Sequence, residues 1–162
     1  MILEIQKGEN NPILRKKSQP IEPAYRQGRL ARRGGKIDEN ILDLIKDMTE
    51  TMLKIDGVGL AACQVGKNMR LFVINPNLSK KTIFINPKII KMSKKTETLE
   101  EGCLSLPNVF IPTKRAKSLK IKAIDENGKQ FKLKAKDLLA RAIQHEIDHL
   151  NGILICDNVK QN

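Results

Sequence analysis

Hydrophobic residues in the first third of the chain recur at helical spacing and predict one long helix. The members of this apolar face are Ile41, Ile45, Met48 and Met52. Asp38 before them is a candidate N-cap, and Asp56-Gly57 after them is a typical helix stop. We therefore expect a core-packed helix from about residue 39 to residue 54.

Shorter apolar runs predict strands. Leu71 to Ile74 and Ile83 to Ile85 are each followed by Asn-Pro, which is typical of a strand that ends in a turn. Two later segments alternate apolar residues with lysines around Asn127-Gly128, and this pattern predicts a β-hairpin with a tight turn. The apolar residues of the two segments are Leu119, Ile121, Ala123, Phe131, Leu133 and Ala135.

A last helix is predicted between Asp137, a candidate N-cap, and Gly152, a candidate stop. Strands with a helix before and after them, without regular βαβ alternation, indicate an α+β fold. We expect small mixed or antiparallel sheets packed around this C-terminal helix, together with an N-terminal core helix. The length suits a single domain over residues 1–162.

The composition bears on the location of the protein. The apolar runs are far shorter than the roughly 20 residues that cross a bilayer, and the first residues contain no signal-peptide core. Three cysteines are too few, and odd in number, for a disulfide framework, which suits a reducing compartment. We expect a cytoplasmic protein without a membrane partner.

The charge balance bears on the partners. Thirty Lys/Arg residues against 18 Asp/Glu give a net charge of +12, which attracts nucleic acid or a ribosome surface. A lysine-rich protein without such a partner would have the same balance. Aromatic residues are only 3% of the chain, so specific nucleic-acid binding through stacked bases is not expected. The segment from Glu22 to Lys36 is basic and resembles an exposed loop.

The predicted last helix carries a candidate metal site. His145 and His149 are four residues apart, so they lie on one helix face and can share an ion. Glu146 beside them is placed to accept a proton from water. A chance match on a surface helix is the alternative, but these are the only two histidines in the chain.

A catalytic metal site of this type usually has a third protein ligand. Cys156 and Asp157 follow the helix, but Cys156 would have to turn sharply back. An upstream ligand is therefore favoured, and Cys103 in the segment EEGCLSLP can present a thiolate and a free backbone N–H together. The glycine-rich segment from Gly57 to Gly66 allows close backbone approach and includes the polar Gln64.

The three segments GVGLAACQ, EGCLS and QHEIDHLNG, in this order, resemble the three signature motifs of the peptide deformylase family. NPILRKKSQPI near the start and the lysine-rich strands around Asn127-Gly128 also fit, so the resemblance covers nearly the whole chain. Cys63 departs from the family pattern, which usually has proline or threonine at this position.

The resemblance implies a role for each matching residue. Cys103, His145 and His149 are expected to be metal ligands, and Glu146 the general acid and base. Gln64 and the backbone N–H of Leu104 are expected to stabilise an oxyanion. The residues expected to bind substrate are Gly57, Val58, Gly59, Leu104 and Ala142.

The resemblance also implies a reaction and a cofactor. The expected enzyme is a metal-dependent hydrolase that releases formate from the N-formylmethionyl end of newly made proteins. Its expected cofactor is one Fe²⁺, with Zn²⁺, Ni²⁺ or Co²⁺ as substitutes. Many relatives continue into a C-terminal helix that docks on the ribosome, so we expect any ribosome contact here to use another basic surface.

Two other functions compete with this expectation. A zinc peptidase of another His-Glu-x-x-His family would have a carboxylate or a histidine as its third ligand, whereas the best candidate here is a thiol. A structural metal in a basic ribosome-binding domain would need a fourth protein ligand. Cys63 and Cys156 are expected to be small buried hydrophobic residues.

Overall fold

The computed structural model describes residues 1–22 and 35–161, with side chains through residue 158. Most of the basic segment predicted from Glu22 to Lys36 therefore lies outside the described residues. The helices are α1 (Pro12–Arg15), α2 (Glu39–Lys54) and α3 (Asp137–Leu150), with 3-10 helices at Ala62–Val65 and Ile155–Gln161. The strands are β1 (Gly59–Ala61), β2 (Leu71–Ile74), β3 (Ile83–Met92), β4 (Thr96–Cys103), β5 (Leu106–Ala116), β6 (Ser118–Ile124) and β7 (Gln130–Lys136).

Helix α2 confirms the prediction from hydrophobic spacing. It begins after Asp38, whose side chain accepts a hydrogen bond from the Asn40 N–H at 2.9 Å, as expected of an N-cap. Met48 and Met52 are completely buried. They pack with strands β1 and β2 in one of two hydrophobic clusters, so α2 forms the N-terminal part of the core.

The larger sheet has five antiparallel strands in the order β1-β2-β3-β6-β7. The predicted hairpin is confirmed as β6 and β7, with Gly128 at a φ of +72° in the turn. Its apolar residues face the second hydrophobic cluster, where Phe72 and Phe84 stack with their ring centroids 4.7 Å apart.

The predicted end of a strand at Asn86-Pro87 is wrong. Strand β3 continues through these residues to Met92, with an irregular register between Ile85 and Lys88. Asn86 has a φ of +49°, and its side chain bonds the backbone N–H and C=O of Ile21 at 2.9 and 2.6 Å. Pro87, which lacks an N–H, is thus accommodated at a bulge instead of ending the strand.

Helix α3 packs on the inner face of the larger sheet and beside the two-stranded sheet of β4 and β5. The predicted N-cap is wrong by one residue, because Lys136 is the cap and Asp137 begins the helix with a φ of +49°. The Gln144 side chain bonds the backbone N–H and C=O of Ala116 at 3.0 and 2.9 Å, which ties α3 to the end of β5.

The α+β class is confirmed, with antiparallel sheets packed around α3 and with α2 in the N-terminal core. None of the helices in the described part of the chain combines the length and hydrophobicity that a bilayer crossing requires.

Candidate active site

Helix α3 and strand β4 bring together three side chains that could hold a metal ion. The donor atoms of Cys103, His145 and His149 all lie within 4.8 Å of one another. The two Nε2 atoms of the histidines are 3.2 Å apart, and Cys103 Sγ is 3.2 Å from His149 Nε2. The i and i+4 spacing places both histidines on one helix face, as predicted.

Cys103 is the last residue of β4, at a register shift in the β4–β5 hairpin where it pairs with Leu106. This bulge turns the end of the strand toward α3. Cys156, the downstream alternative, lies instead beside Arg15, whose Nη2 is 3.6 Å from its sulfur. The expectation that Cys156 is buried is wrong, because it is only half-buried.

The chemistry of this donor set fits a divalent metal ion. One thiol and two imidazoles can supply three ligands and leave a further position for substrate. Burial lowers the pKa of His145, but hydrogen bonds with Cys103 and Glu101 outweigh burial and raise it to about 10. Burial and the charge of His145 lower the pKa of His149, so that ring is neutral. An ion between these donors would take the place of the proton on His145.

Glu101 lies directly behind His145 and was not among the predicted site residues. Its Oε2 is 3.2 Å from His145 Nδ1, so a proton on Nδ1 leaves Nε2 free to face the other donors. Burial raises the pKa of Glu101, but hydrogen bonds from His145 and Arg115 outweigh it and lower the pKa to about 2. The side chain is therefore a carboxylate that orients the imidazole.

Two arginines hold this carboxylate in place. Arg115 donates to both oxygens of Glu101, at 3.0 and 2.9 Å, and also pairs with Asp148. Arg141 donates to Glu101 Oε1 at 2.6 Å and to the Thr113 carbonyl oxygen at 2.9 Å. We call Glu101, Arg115, Arg141 and Asp148 the buried charge cluster. The spacing of Glu101 and Cys103, two residues apart, was the one signal in the sequence that could have found it, because side chains at i and i+2 lie on the same face of a strand.

Glu146 is 3% exposed and lies against Gly59. A Cβ atom on Gly59 would come within 2.5 Å of Glu146 Oε1, so the carboxylate occupies the space that the glycine leaves. Glu146 Oε2 has no hydrogen-bond partner among the residues that the structure describes. Burial raises the pKa of Glu146 to about 7, against the opposing charge of His145. A carboxyl group with this pKa can both accept and return a proton near neutral pH.

Gln64 lies in the 3-10 helix that follows β1 and faces the end of β4. Its Nε2 is 3.8 Å from Cys103 Sγ and 3.2 Å from Ser105 Oγ. Its Oε1 accepts a hydrogen bond from the Ala61 N–H at 2.9 Å, which fixes the orientation of the amide. The structure thus places the amide donor of Gln64 beside the Cys103 thiol, with Leu104 next to Cys103 in the chain.

A cavity of about 570 Å³ opens beside these groups. All five residues predicted to bind substrate line it: Gly57, Val58, Gly59, Leu104 and Ala142. Val58 is 42% exposed, so its side chain is available to line the cavity. Phe110 and Leu138 also line the cavity and were missed, because no motif marks them.

Cys63 is fully buried, as predicted, and its thiol contacts the His149 carbonyl oxygen at 3.5 Å. Burial raises the pKa of this thiol to about 12, so it stays protonated. The departure from the family pattern at this position therefore serves packing between the 3-10 helix and α3.

Comparisons with known proteins agree with this geometry. The family model described as polypeptide deformylase matches residues 2–162. A peptide deformylase of Dictyoglomus thermophilum is 45% identical over 157 residues, which are 97% of this chain and 92% of that protein. The crystal structure of the peptide deformylase from Thermotoga maritima superposes with a TM-score of 0.84 at 38% identity, covering 97% of both chains. A peptide deformylase from Synechococcus elongatus, solved in complex with actinonin, gives a TM-score of 0.83 at 37% identity, covering 96% of this chain and 77% of that one. This chain belongs to the polypeptide deformylase family.

Proposed function

We propose that this chain hydrolyses the formyl group from the N-terminal methionine of newly made proteins and releases formate. Family membership makes the chain an enzyme, a hydrolase. One observation carries the specific assignment: Glu146, whose Oε2 has no hydrogen-bond partner among the described residues, lines the same open cavity as Cys103 and His145, which together with His149 could hold a metal ion. This arrangement combines a proton acceptor, a metal-ligating group and room for a peptide.

Cys103, His145 and His149 would hold the metal of the enzyme. We propose Fe²⁺, with Zn²⁺, Ni²⁺ or Co²⁺ as substitutes, because a thiolate with two imidazoles suits each of these ions. When bound, the ion supplies Lewis acidity that polarises the formyl carbonyl and lowers the pKa of water. Glu101 would keep His145 in the tautomer that the ion requires.

Glu146 would take a proton from the attacking water and deliver it to the departing amine. Its pKa of about 7, raised by burial, allows both transfers near neutral pH. Gly59 contributes by leaving room for the carboxylate. Glu146 is therefore proposed as the general acid and base.

Gln64 Nε2 and the backbone N–H of Leu104 would stabilise the negative charge that develops on the formyl oxygen. Donors fixed before the reaction contribute about 3 kcal/mol each to transition-state stabilisation. The hydrogen bond from Ala61 to Gln64 Oε1 supports this role, since it orients the amide in advance.

The cavity would bind the methionine side chain and the peptide that follows it. Val58, Leu104 and Ala142 provide apolar lining for the side chain. Among the described strands, β1 is at the edge of the five-stranded sheet and pairs with β2 alone. The segment Gly57 to Gly59 would therefore let an extended peptide add to this edge.

The deciding experiment measures formate release from a formyl-Met peptide after anaerobic purification and loading with Fe²⁺ or Ni²⁺. We expect turnover with the loaded protein, and its absence would refute the proposal. Glu146→Gln should retain the metal and lose about 10²- to 10⁴-fold in turnover. Cys103→Ala should lose metal affinity, whereas Cys156→Ala, a matched control at a thiol beside Arg15, should change neither quantity.

The alternative of a zinc peptidase from another His-Glu-x-x-His family is not favoured, because the family model covers residues 2–162. The same assay separates the two functions. Cleavage of an internal peptide bond in place of formate release would support the peptidase.

We also propose a setting for the enzyme. The whole chain, residues 1–162, would form one catalytic domain, since the family match spans nearly all of it. The three free thiols support a reducing cytoplasm. Contact with the ribosome would use a basic surface, and the segment from Ala24 to Lys36 is the first candidate. Pelleting with ribosomes that is unchanged by deletion of this segment would eliminate it.

A further inference from the structure

Six lysines form two rows across one face of strands β3, β6 and β7. The backbone register aligns Lys88, Lys122 and Lys132 in one row and Lys91, Lys120 and Lys134 in the other. Residues that pair across antiparallel strands lie on the same face of the sheet. We call these six residues the lysine array.

The array lies on the face opposite the hydrophobic core. Ile121 separates the two rows along β6 and is fully buried in the cluster under α3. Its partner on β7, Leu133, packs against the same cluster. Five of the six lysines are exposed, and Lys120 is half-buried. No large apolar residue therefore separates the two rows on the outer face of β6 or β7.

The array is not neutralised within the part of the chain that the structure describes. The lysines that form ion pairs there are Lys36, Lys81 and Lys117, none of which belongs to the array. Like charges directly opposite each other on neighbouring strands are destabilising. The aligned lysines therefore lower the stability of the fold, so their presence needs an explanation other than stability.

Protection of a sheet edge explains only part of the array. Lysines on an edge strand discourage edge-to-edge aggregation, and β7 is an edge strand. Lys120 and Lys122, however, lie on β6, between β3 and β7. Their placement in the middle of the sheet points to a partner that lies across the face.

We propose that the lysine array binds the phosphodiester backbone of RNA without sequence preference. Lysines two residues apart on a strand are about 7 Å apart, and neighbouring strands are about 5 Å apart, so the array presents closely spaced positive charges to a polyanion. Lysine is a point charge that contacts phosphate, and such contacts position a protein without reading bases. An acidic lipid surface fits less well, because interfacial binding also uses an apolar face, and the large exposed apolar residues on these three strands are limited to Ile90 and Met92 of β3.

The choice of RNA over other polyanions rests on the proposed function, since an enzyme that acts on newly made peptide chains works where RNA is abundant. The array itself is independent of the catalytic residues. Binding by the array and formate release can therefore be measured and lost separately.

The test compares two double variants of the full chain that each lower the net charge by two. Lys122→Gln with Lys132→Gln removes one row of the array except Lys88. Lys46→Gln with Lys54→Gln removes two exposed lysines of α2 and is the matched control. The probe is a labelled duplex RNA of mixed sequence, titrated at several salt concentrations.

We expect the array variant to bind this RNA about tenfold more weakly at 50 mM salt and the control to bind as the parent does. The slope of log K against log salt should fall by about 1.5, because each phosphate contact contributes roughly 0.7 to 0.9. Formate release from a free formyl-Met peptide should be unchanged in both variants, which separates this proposal from the proposed function.

Three results would overturn the proposal. Equal weakening in both double variants would show that only net charge matters. Array-dependent binding to phosphatidylserine vesicles, without binding to RNA, would assign the face to a membrane surface. A preference for a DNA duplex of the same sequence would reject RNA as the partner.

Discussion

The buried charge cluster and the lysine array are two ways in which this chain uses charge. In the cluster, Glu101 is 7% exposed and each oxygen of its carboxylate has at least one arginine partner. In the array, lysines lie opposite lysines across three strands. Paired charges fix the position of neighbouring groups, whereas unpaired charges of one sign attract a partner from solution. The difference separates residues that shape the active site from residues that serve an outer surface.

The largest effect is expected from a substitution that breaks the ion pairs of the buried charge cluster. Glu101→Gln would leave Arg115 and Arg141 buried without their shared carboxylate, so the free energy of unfolding should fall by about 3 kcal/mol or more. Metal affinity should fall roughly 10- to 100-fold as His145 loses its orienting partner. Urea unfolding and chelator competition measure the two effects.

The matched control is Glu97→Gln, on the same strand as Glu101. Glu97 pairs with Lys117, which is more exposed than the two arginines, so its loss should lower the free energy of unfolding by no more than about 1 kcal/mol. Similar losses in both variants would contradict the comparison.

A change of shape alone should also disturb the buried region. Gly59→Ala leaves every charge in place but puts a Cβ within 2.5 Å of Glu146 Oε1, so the carboxylate must shift. Turnover should fall by up to about 100-fold, and the unfolding free energy should fall by about 1 to 3 kcal/mol. Metal content should stay at the parent level. Loss of the metal together with turnover would show that Gly59 acts on the ligands and not on Glu146.

A smaller loss of stability is expected when the buried carboxylate at the end of the β6–β7 hairpin, Asp125, is replaced. Asp125 accepts hydrogen bonds from the Asn127 and Lys129 N–H groups at 3.1 and 3.0 Å and pairs with Lys81. Burial raises its pKa, but these partners outweigh burial and lower the pKa below its ordinary value. The charged form therefore stabilises the fold at pH values above the ordinary pKa of an aspartate, and this contribution is lost as the pH falls through the lowered pKa. Asp125→Asn should cost about 1 to 2 kcal/mol at neutral pH, and the difference from the parent should shrink in acid. A difference in urea unfolding that stays constant with pH would contradict this role.

The smallest expected effect is a gain in stability when two lysines of the array are replaced. Lys122→Gln with Lys132→Gln removes a directly opposed pair of like charges, so the unfolding free energy should rise by about 0.2 to 1 kcal/mol at low salt. Added salt should reduce the gain, because it screens exposed charges. A loss of stability in the same urea titration would mean that these lysines make favourable contacts in the folded chain.

Local patterns predicted much of the fold. Helix α2, strand β2 and the β6–β7 hairpin lie where the hydrophobic spacing placed them. The errors occur at Asn86-Pro87 and Asp137, where residues that usually mark a turn or a cap are used differently. The side chain of Asn86 bonds to Ile21, 65 positions earlier in the chain, and such a contact leaves no local pattern.

For the candidate site, the sequence determined the two histidines of α3, the candidate thiol and the resemblance to a family, because helical spacing and short motifs are local properties. The roles assigned to individual site residues stay predictions. Only the tertiary structure revealed the buried charge cluster, which joins Glu101, Arg115, Arg141 and Asp148 from β4, β5 and α3. It also revealed the two rows of the lysine array, since strand register sets which residues lie side by side. Both features depend on contacts between segments far apart in the chain, and composition and spacing do not encode such contacts directly.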